Sequence, residues 1–336
     1  MYKAGASIYI GLSDYSLEDN LNYLNKLKSL NINHIFSSFH INEANNTNEE
    51  LQIILNKCKE LDLKLSLDVS KKSYLELNNI DDIYSLRLDY GFNDDEIIEL
   101  SKKHLIELNA STIKKDYLIK LIKLGLNENN TILSFNFYPK KYSGHDLAFV
   151  ESKSQEFKEL GFKVAGFIPS HKNYRPPLYE GLPTIETHRY LSLHLAIEEL
   201  KLCKLDYIYF GDAIIDDEEL NILKMHEVEE VLLKVNNYLK SDSYDIYNKI
   251  YNNRSDYNSY IIRISTRTSY IEKSNNIKRE IGSLTIDNYL FKRYCGEINI
   301  VLKELEADER VNVIGKIEYT PFILDKIKEG IKFKFI

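Results

Sequence analysis

Over the first two thirds of the chain, short apolar runs of β type alternate with longer stretches whose apolar residues recur with the period of a helix. The runs are KAGASIY (3-9), HIFSSF (34-39), LKLSLDV (63-69), YSLRLD (84-89), LIELNA (105-110), TILSFNF (131-137), KVAGFI (163-168) and DYIYFG (206-211). Between the first two, Leu17, Leu21, Leu24, Leu27 and Leu30 form one stripe, opened by Ser16-x-x-Asp19 in the manner of a capping box. A second stripe, Leu51, Ile54, Leu55, Cys58 and Leu61, follows Thr47-x-x-Glu50. Further helices fit 93-103, 114-124, 146-160, 187-202 and 216-226, with a shorter one near 71-79. Strands that read as continuous apolar runs are buried on both faces, and eight such units predict a (β/α)8 barrel. A doubly wound open sheet is the alternative, but no G-x-G-x-x-G follows the first strand.

Past residue 227 the pattern changes. EVEEVLLKV, YIIRISTR, SLTID, EINIVLKEL, RVNVIGKIEY and IKFKFI are strand-like runs separated by turn residues, with little helical period. The chain therefore divides into a barrel over 1-228 and a smaller, mostly β domain over 229-336. In IKFKFI, Ile331, Phe333 and Phe335 alternate with Lys332 and Lys334, as a packed terminal strand would.

Composition narrows the function. Of 336 residues, 44 are Lys or Arg and 51 Asp or Glu, a net charge of -7, so the surface as a whole repels nucleic acid and anionic lipid. An anionic ligand must find a local basic pocket. The three cysteines, Cys58, Cys203 and Cys295, are far apart and in no CxxC arrangement, which fits free thiols in a reducing compartment. The N-terminal apolar stretch is broken by Gly11, Ser13 and Asp14, too weak for a signal peptide, and a cytoplasmic location is expected. With 25 Tyr, 14 Phe and no Trp, any sugar stacking must use Tyr or Phe faces.

In a barrel, polar residues at the C-terminal strand ends converge on one mouth. Here they are Ser37, Ser38 and His40; Asp68 and Ser70; Arg87 and Asp89; Asn109 and Ser111; Asn136 and Tyr138; Ser170 and His171; and Asp212. Helix capping accounts for about half of them, Asn93 and Ser111 being better caps than catalysts. The stretch 169-186 holds four of the six prolines, and RPPLYEGLPTIETHR (175-189) concentrates Arg175, Glu180, Glu186, His188 and Arg189. Cations and backbone N-H groups beside a helix start suit an anion, so a phosphorylated or carboxylated small molecule is expected. Carboxylates facing each other across a mouth are what glycoside hydrolysis needs, and Asp89, Glu186 and Asp212 are the candidates. Retaining, inverting and substrate-assisted routes all stay open. H-E-x-x-H, Walker A and G-x-S-x-G motifs are lacking, and the histidines lack metal-ligand spacing, so neither metal nor cofactor is expected. Lys64 and Lys163 lie near strand starts, the wrong end for Schiff-base chemistry.

These residues resemble the bacterial 6-phospho-N-acetylmuramidases. The likeness is carried by FSSFH (36-40), LDVS (67-70), LRLDYG (86-91), NFYP (136-139), RPPLYEGLPTIETHR (175-189), FGD (210-212), GSLTIDNYLFKRYCGEINIVLKEL (282-305) and DERVNVIGKI (308-317). EGLPTIE-x-HR with TIDN-x5-RY-x-GE is the specific combination. Phe291-Lys292 departs from it where Tyr-Gly is commoner. The resemblance implies a (β/α)8 barrel followed by a cyclophilin-like domain, and a cytoplasmic hydrolase of cell-wall recycling. Such an enzyme splits MurNAc 6-phosphate-GlcNAc at its β-1,4 bond and needs no cofactor. Arg175, Arg189 and His40 are then expected on the phosphate or lactyl carboxylate. Ser37, Asp68, Arg87, Asn109, Asn136, Tyr138, Glu180 and His188 complete the expected substrate contacts. A phosphosugar isomerase or epimerase, or a phosphosugar-binding protein, are the competing functions. Arg263, Arg267 and Arg293 of the second domain are expected to pair with acidic neighbours, and a homodimer is the base-rate expectation.

Overall fold

The computed structural model describes residues 1–39, 48–238, 246–247, 249–256, 258–264 and 270–336. Strands β1 (Lys3–Ser7), β2 (His34–Ser38), β3 (Lys64–Val69), β4 (Ser85–Leu88), β5 (Leu105–Asn109), β6 (Thr131–Ser134), β7 (Lys163–Ile168) and β8 (Tyr207–Ala213) close into a parallel barrel in sequence order. Each lies within, or within two residues of, the run that predicted it. Helices α1 (Leu17–Ser29), α2 (Asn48–Glu60), α3 (Lys71–Glu76), α4 (Asp94–Lys103), α5 (Lys115–Leu124), α6 (Leu147–Glu159), α7 (Leu193–Leu202) and α8 (Asp217–Met225) alternate with the strands. The capping box of α1 forms: the Asp19 N-H donates to Ser16 Oγ and the Ser16 N-H to the Asp19 carboxylate. Its buried stripe is Asn20, Tyr23, Leu24 and Leu27, one residue round from the leucine stripe. Thr47, the expected cap of α2, lies outside the described residues.

Alternation along each strand decides what fills the barrel. Phe36, Phe167, Tyr207 and Tyr209 pack inside with Ile132 and Ala165, and Phe137 closes over them, its ring 5.8 Å from Phe36 and 5.0 Å from Phe167. Edge-to-face contacts of this kind make a solid floor beneath the mouth. The β1–β8 register slips between Ala6 and Ser7, so that Ser7 pairs with Ala213. That bulge turns Asp212 into the loops, and bulges beside sites commonly re-aim a side chain in this way.

Contact clustering separates Met1–Glu227 from Val228–Ile336. In the second unit β10 (Val235–Asn237), β14 (Val311–Ile317), β12 (Ser283–Asp287), β13 (Ile298–Val301) and β11 (Ile261–Ile264) form an antiparallel sheet in that order, while β15 (Phe333–Phe335) pairs in parallel with β9 (Val231–Leu233). Phe333 and Phe335 are buried, as the alternation of the last six residues predicts. A helix, α9 (Pro321–Lys328), lies between the last two strand-like runs of this mostly β region. Its signals are local: Thr320 caps it and Pro321 occupies the first turn. Arg263 pairs with Glu297 at 2.9 Å and Asp256 at 2.8 Å. The Arg293 guanidinium lies over the Tyr294 ring, and Arg267 is outside the described residues.

Candidate active site

One cluster at the mouth is built from adjacent strands. The register places Asp68 of β3 beside Arg87 of β4, and their side chains form a buried ion pair at 2.9 Å. Arg87 also donates to Asn136 Oδ1 at 2.5 Å, and Ser38 donates to Asp68 at 3.2 Å. Nε of Arg87 is buried without a partner among the described residues. Asp68, Glu107 and Asp89 all hold the Arg87 guanidinium above its ordinary pKa, against burial, which is the largest influence and acts downward. Glu107 was not among the expected residues; it accepts from Ser85 at 2.6 Å inside the barrel. Its signal was a lone carboxylate in the apolar run LIELNA. Asp89 is exposed at the rim. Asn109 accepts the Ser111 N-H, and Ser111 Oγ accepts the Asn136 N-H at 2.9 Å, so Ser111 supports the site and does not cap α5.

A second region fastens the loop after β6 to the loop after β7. Glu186 accepts N-H groups from Tyr142 at 2.7 Å and Gly144 at 2.8 Å, and pairs with Arg189 at 2.8 Å. Burial pushes its carboxyl up, but Arg189 and the two N-H groups outweigh it and hold it below the usual glutamate range. A Cβ on Gly144 would lie 2.7 Å from the Glu186 carboxylate, so only glycine fits. Glu180 accepts the Lys141 N-H at 2.9 Å, and this bond is the main reason its carboxyl is lowered. Tyr138 meets His145 Nε2 at 2.9 Å. Arg189 reaches five acceptors: Glu186, the carbonyls of Glu180 and Gly181, and those of Tyr138 and Lys140. An arginine has five N-H donors. Every one is therefore engaged.

The third region joins β8 to the loop after β7. Asp212 is fully buried and accepts N-H groups from Arg175 at 2.8 Å, Ser170 at 2.9 Å and Leu182 at 3.2 Å. Burial pushes its pKa up to about 6, against the pull of those N-H groups and of the Arg175 cation. A Cβ on the preceding Gly211 would lie 2.3 Å from the Leu182 carbonyl, which explains the glycine of FGD. The Arg175 guanidinium stacks 4.3 Å from the centre of the Tyr9 ring, and its Nε is buried with no partner among the described residues. Tyr9 itself is raised to about 12 by burial, and its hydroxyl donates to the Gly211 carbonyl.

Several expected contacts are corrected by these placements. Arg189 has no donor left for a phosphate. His188 is completely buried and bonds Glu199 at 3.0 Å; burial lowers its pKa more than Glu199 raises it. Ser37 lies between Phe36 and Ser38, which face the interior, so it points to the helix layer. Glu186 and Asp212 both tie loops together through their carboxylates; Asp212 is fully buried, and the Glu186 side chain keeps 16% exposure. His40 lies outside the described residues.

Comparison with family models matches residues 4–225 to the N-terminal region of 6-phospho-N-acetylmuramidase and residues 231–336 to its C-terminal region. The chain belongs to the 6-phospho-N-acetylmuramidase family. Members of the family are named for a glycoside hydrolase activity. Two solved structures resemble this one along its length. An uncharacterized B. cereus protein has 26% identity and a TM-score of 0.88, with 100% of each chain covered. A conserved Enterococcus faecalis protein of unknown function has 28% identity and a TM-score of 0.77, covering 99% of this chain and 96% of that one. No curated protein matches. Among the described residues, no helix is long and apolar enough to cross a membrane.

Proposed function

We propose that the chain hydrolyses the β-1,4 bond of MurNAc 6-phosphate-GlcNAc, releasing MurNAc 6-phosphate and GlcNAc, as a cytoplasmic step of peptidoglycan recycling. The observation that carries this reading is the unequal bonding of three arginines at the mouth. Arg189 is saturated by carbonyls, and Arg87 lies among Asp68, Glu107 and Asp89, so neither suits an anion. Arg175 lies beside Asp212, which accepts its backbone N-H, and its buried Nε has no partner among the described residues. A buried donor without a partner costs about 1–3 kcal/mol, which a phosphate or carboxylate oxygen would recover. Arg175 is accordingly the anion ligand.

On the opposite side, Asp89 and Asp68 flank Arg87 and supply the two carboxyl groups that protonate the leaving oxygen and stabilise or attack the anomeric carbon. Arg87 and Asn136 orient Asp68. Glu186 and Asp212 act as positioning residues through the loops they hold. Asp89→Asn should lower kcat by about 10²–10⁴-fold while leaving the melting temperature near that of the parent.

Mass spectrometry after incubation with the disaccharide, phosphorylated and unphosphorylated, tests the reading. Two products whose masses sum to the phosphorylated disaccharide plus one water support it. A rearranged product of unchanged mass would identify an isomerase, and retained ligand without turnover a binding protein.

A further inference from the structure

A groove of about 540 Å³ opens between the turn after β1 and the loop 172–179, at the ends of β8 and β1. Its volume is within the range of small-molecule sites. Tyr15, Tyr174 and Tyr179 with Pro176 line it, and in a chain without tryptophan these are the faces a sugar ring can stack on. Among the described residues its one lining cation, Lys172, is tied to Asp216 at 2.8 Å and Glu218 at 2.6 Å. Asp14 stands exposed in the wall, accepting from the Tyr179 hydroxyl at 3.2 Å. The field in the groove is therefore negative and unfavourable to phosphate.

Two features tie the groove to the mouth. Tyr15 packs on the cluster of Tyr9, Leu182 and Ala213, and Tyr9 carries the Arg175 guanidinium. Ile214 and Tyr179 in its lining both have left-handed backbone, at φ 54° and 53°. For a β-branched residue that conformation is a strained outlier, and such strain gathers at ligand sites.

We propose that this groove is the subsite for an uncharged N-acetylhexosamine ring, stacked on Tyr174 and Tyr15, with Asp14 accepting from its hydroxyls. This rests on the glycosidase reading for its connection to turnover: the neutral half of the disaccharide lies here while its anionic half meets Arg175.

The test is ligand-observed saturation-transfer NMR on the full chain with N-acetylglucosamine and its β-1,4 dimer. Saturable binding is expected, weakened at least about ten-fold in Tyr174→Ala and in Asp14→Ala and unchanged in Leu178→Ala, an exposed neighbour outside the groove. Absence of saturable binding by the parent chain overturns the proposal, as does binding that neither substitution weakens. Tighter, Tyr174-dependent binding of N-acetylglucosamine 6-phosphate than of N-acetylglucosamine would also overturn it, because the groove would then not select the neutral ring. These outcomes are independent of turnover. A chain that binds the neutral sugar here yet cleaves neither disaccharide would refute the hydrolase assignment and leave the subsite in place.

Discussion

The two loop systems at the barrel mouth contain the same kinds of residue and use them in opposite ways. Where the loops after β6 and β7 meet, Glu186, Glu180 and Arg189 bond to each other and to backbone, and Arg189 has no free donor. Where the loop after β7 meets β8 and β1, Arg175 keeps an unsatisfied Nε, Asp212 holds the loop from beneath, and a groove stays open. A dense run of charge in one motif thus separates into a fastening and the side proposed as a receptor. Donor-by-donor bonding distinguishes them where residue type does not.

The largest expected effect would break the comparison directly. Arg189→Ala leaves a carboxylate and four carbonyls without their partner and should cost about 3–5 kcal/mol, read as a melting temperature lower by roughly 10 °C. An unchanged melting temperature with lost affinity for phosphorylated substrate would exchange the roles assigned to Arg189 and Arg175.

Asp212→Asn comes next. The amide cannot accept all three N-H groups, and the loss should be about 2–3 kcal/mol at neutral pH. Its pH dependence has a definite sign. Because the folded pKa is near 6 and so above the ordinary aspartate value, the folded state keeps a proton that the unfolded state releases first. This group's contribution to stability therefore falls as pH rises from about 4 to about 6 and is flat beyond. The three N-H bonds to the loop themselves favour the ionised carboxylate, against the larger effect of burial. An acid limb of kcat/KM near pH 6 is expected, absent in Asp212→Asn.

Arg175→Gln should sharpen the contrast from the receptor side. Loss of one charge-assisted contact predicts KM for the phosphorylated disaccharide raised about 10–100-fold, with little change in melting temperature. The smallest effect concerns backbone strain in the second unit. Lys292 is exposed with φ 53° and ψ -115°, where the resemblance expects glycine, and Lys292→Gly should add about 1 kcal/mol. Denaturant midpoints measure it. A loss of stability would show that the left-handed turn there is held by contacts of the lysine side chain.

Much of the fold was legible because it is encoded locally. The eight runs needed only their apolar continuity and the helices only their stripes and caps, as Ser16 with Asp19 illustrates. Helix α9 was equally local in its Thr-Pro start, but the stretch between RVNVIGKIEY and IKFKFI was given no element. By residue type the sequence picked out Asp68, Arg87 and Asn136, which the structure brings together, and Arg175. Glu107 escaped because an isolated carboxylate in a strand carries no motif, and Ser37 was included because strand facing depends on register.

Alternating apolar runs, a negative overall charge and two long motifs determined a barrel with a β domain after it and a mouth rich in acids and arginines. Which of those groups the protein itself already satisfies was decided only by the tertiary structure. Carbonyls from residues about fifty positions upstream help to satisfy Arg189, and no group among the described residues does the same for Nε of Arg175. Hydrogen bonding saturates, so a side chain's availability depends on neighbours that folding alone brings within reach.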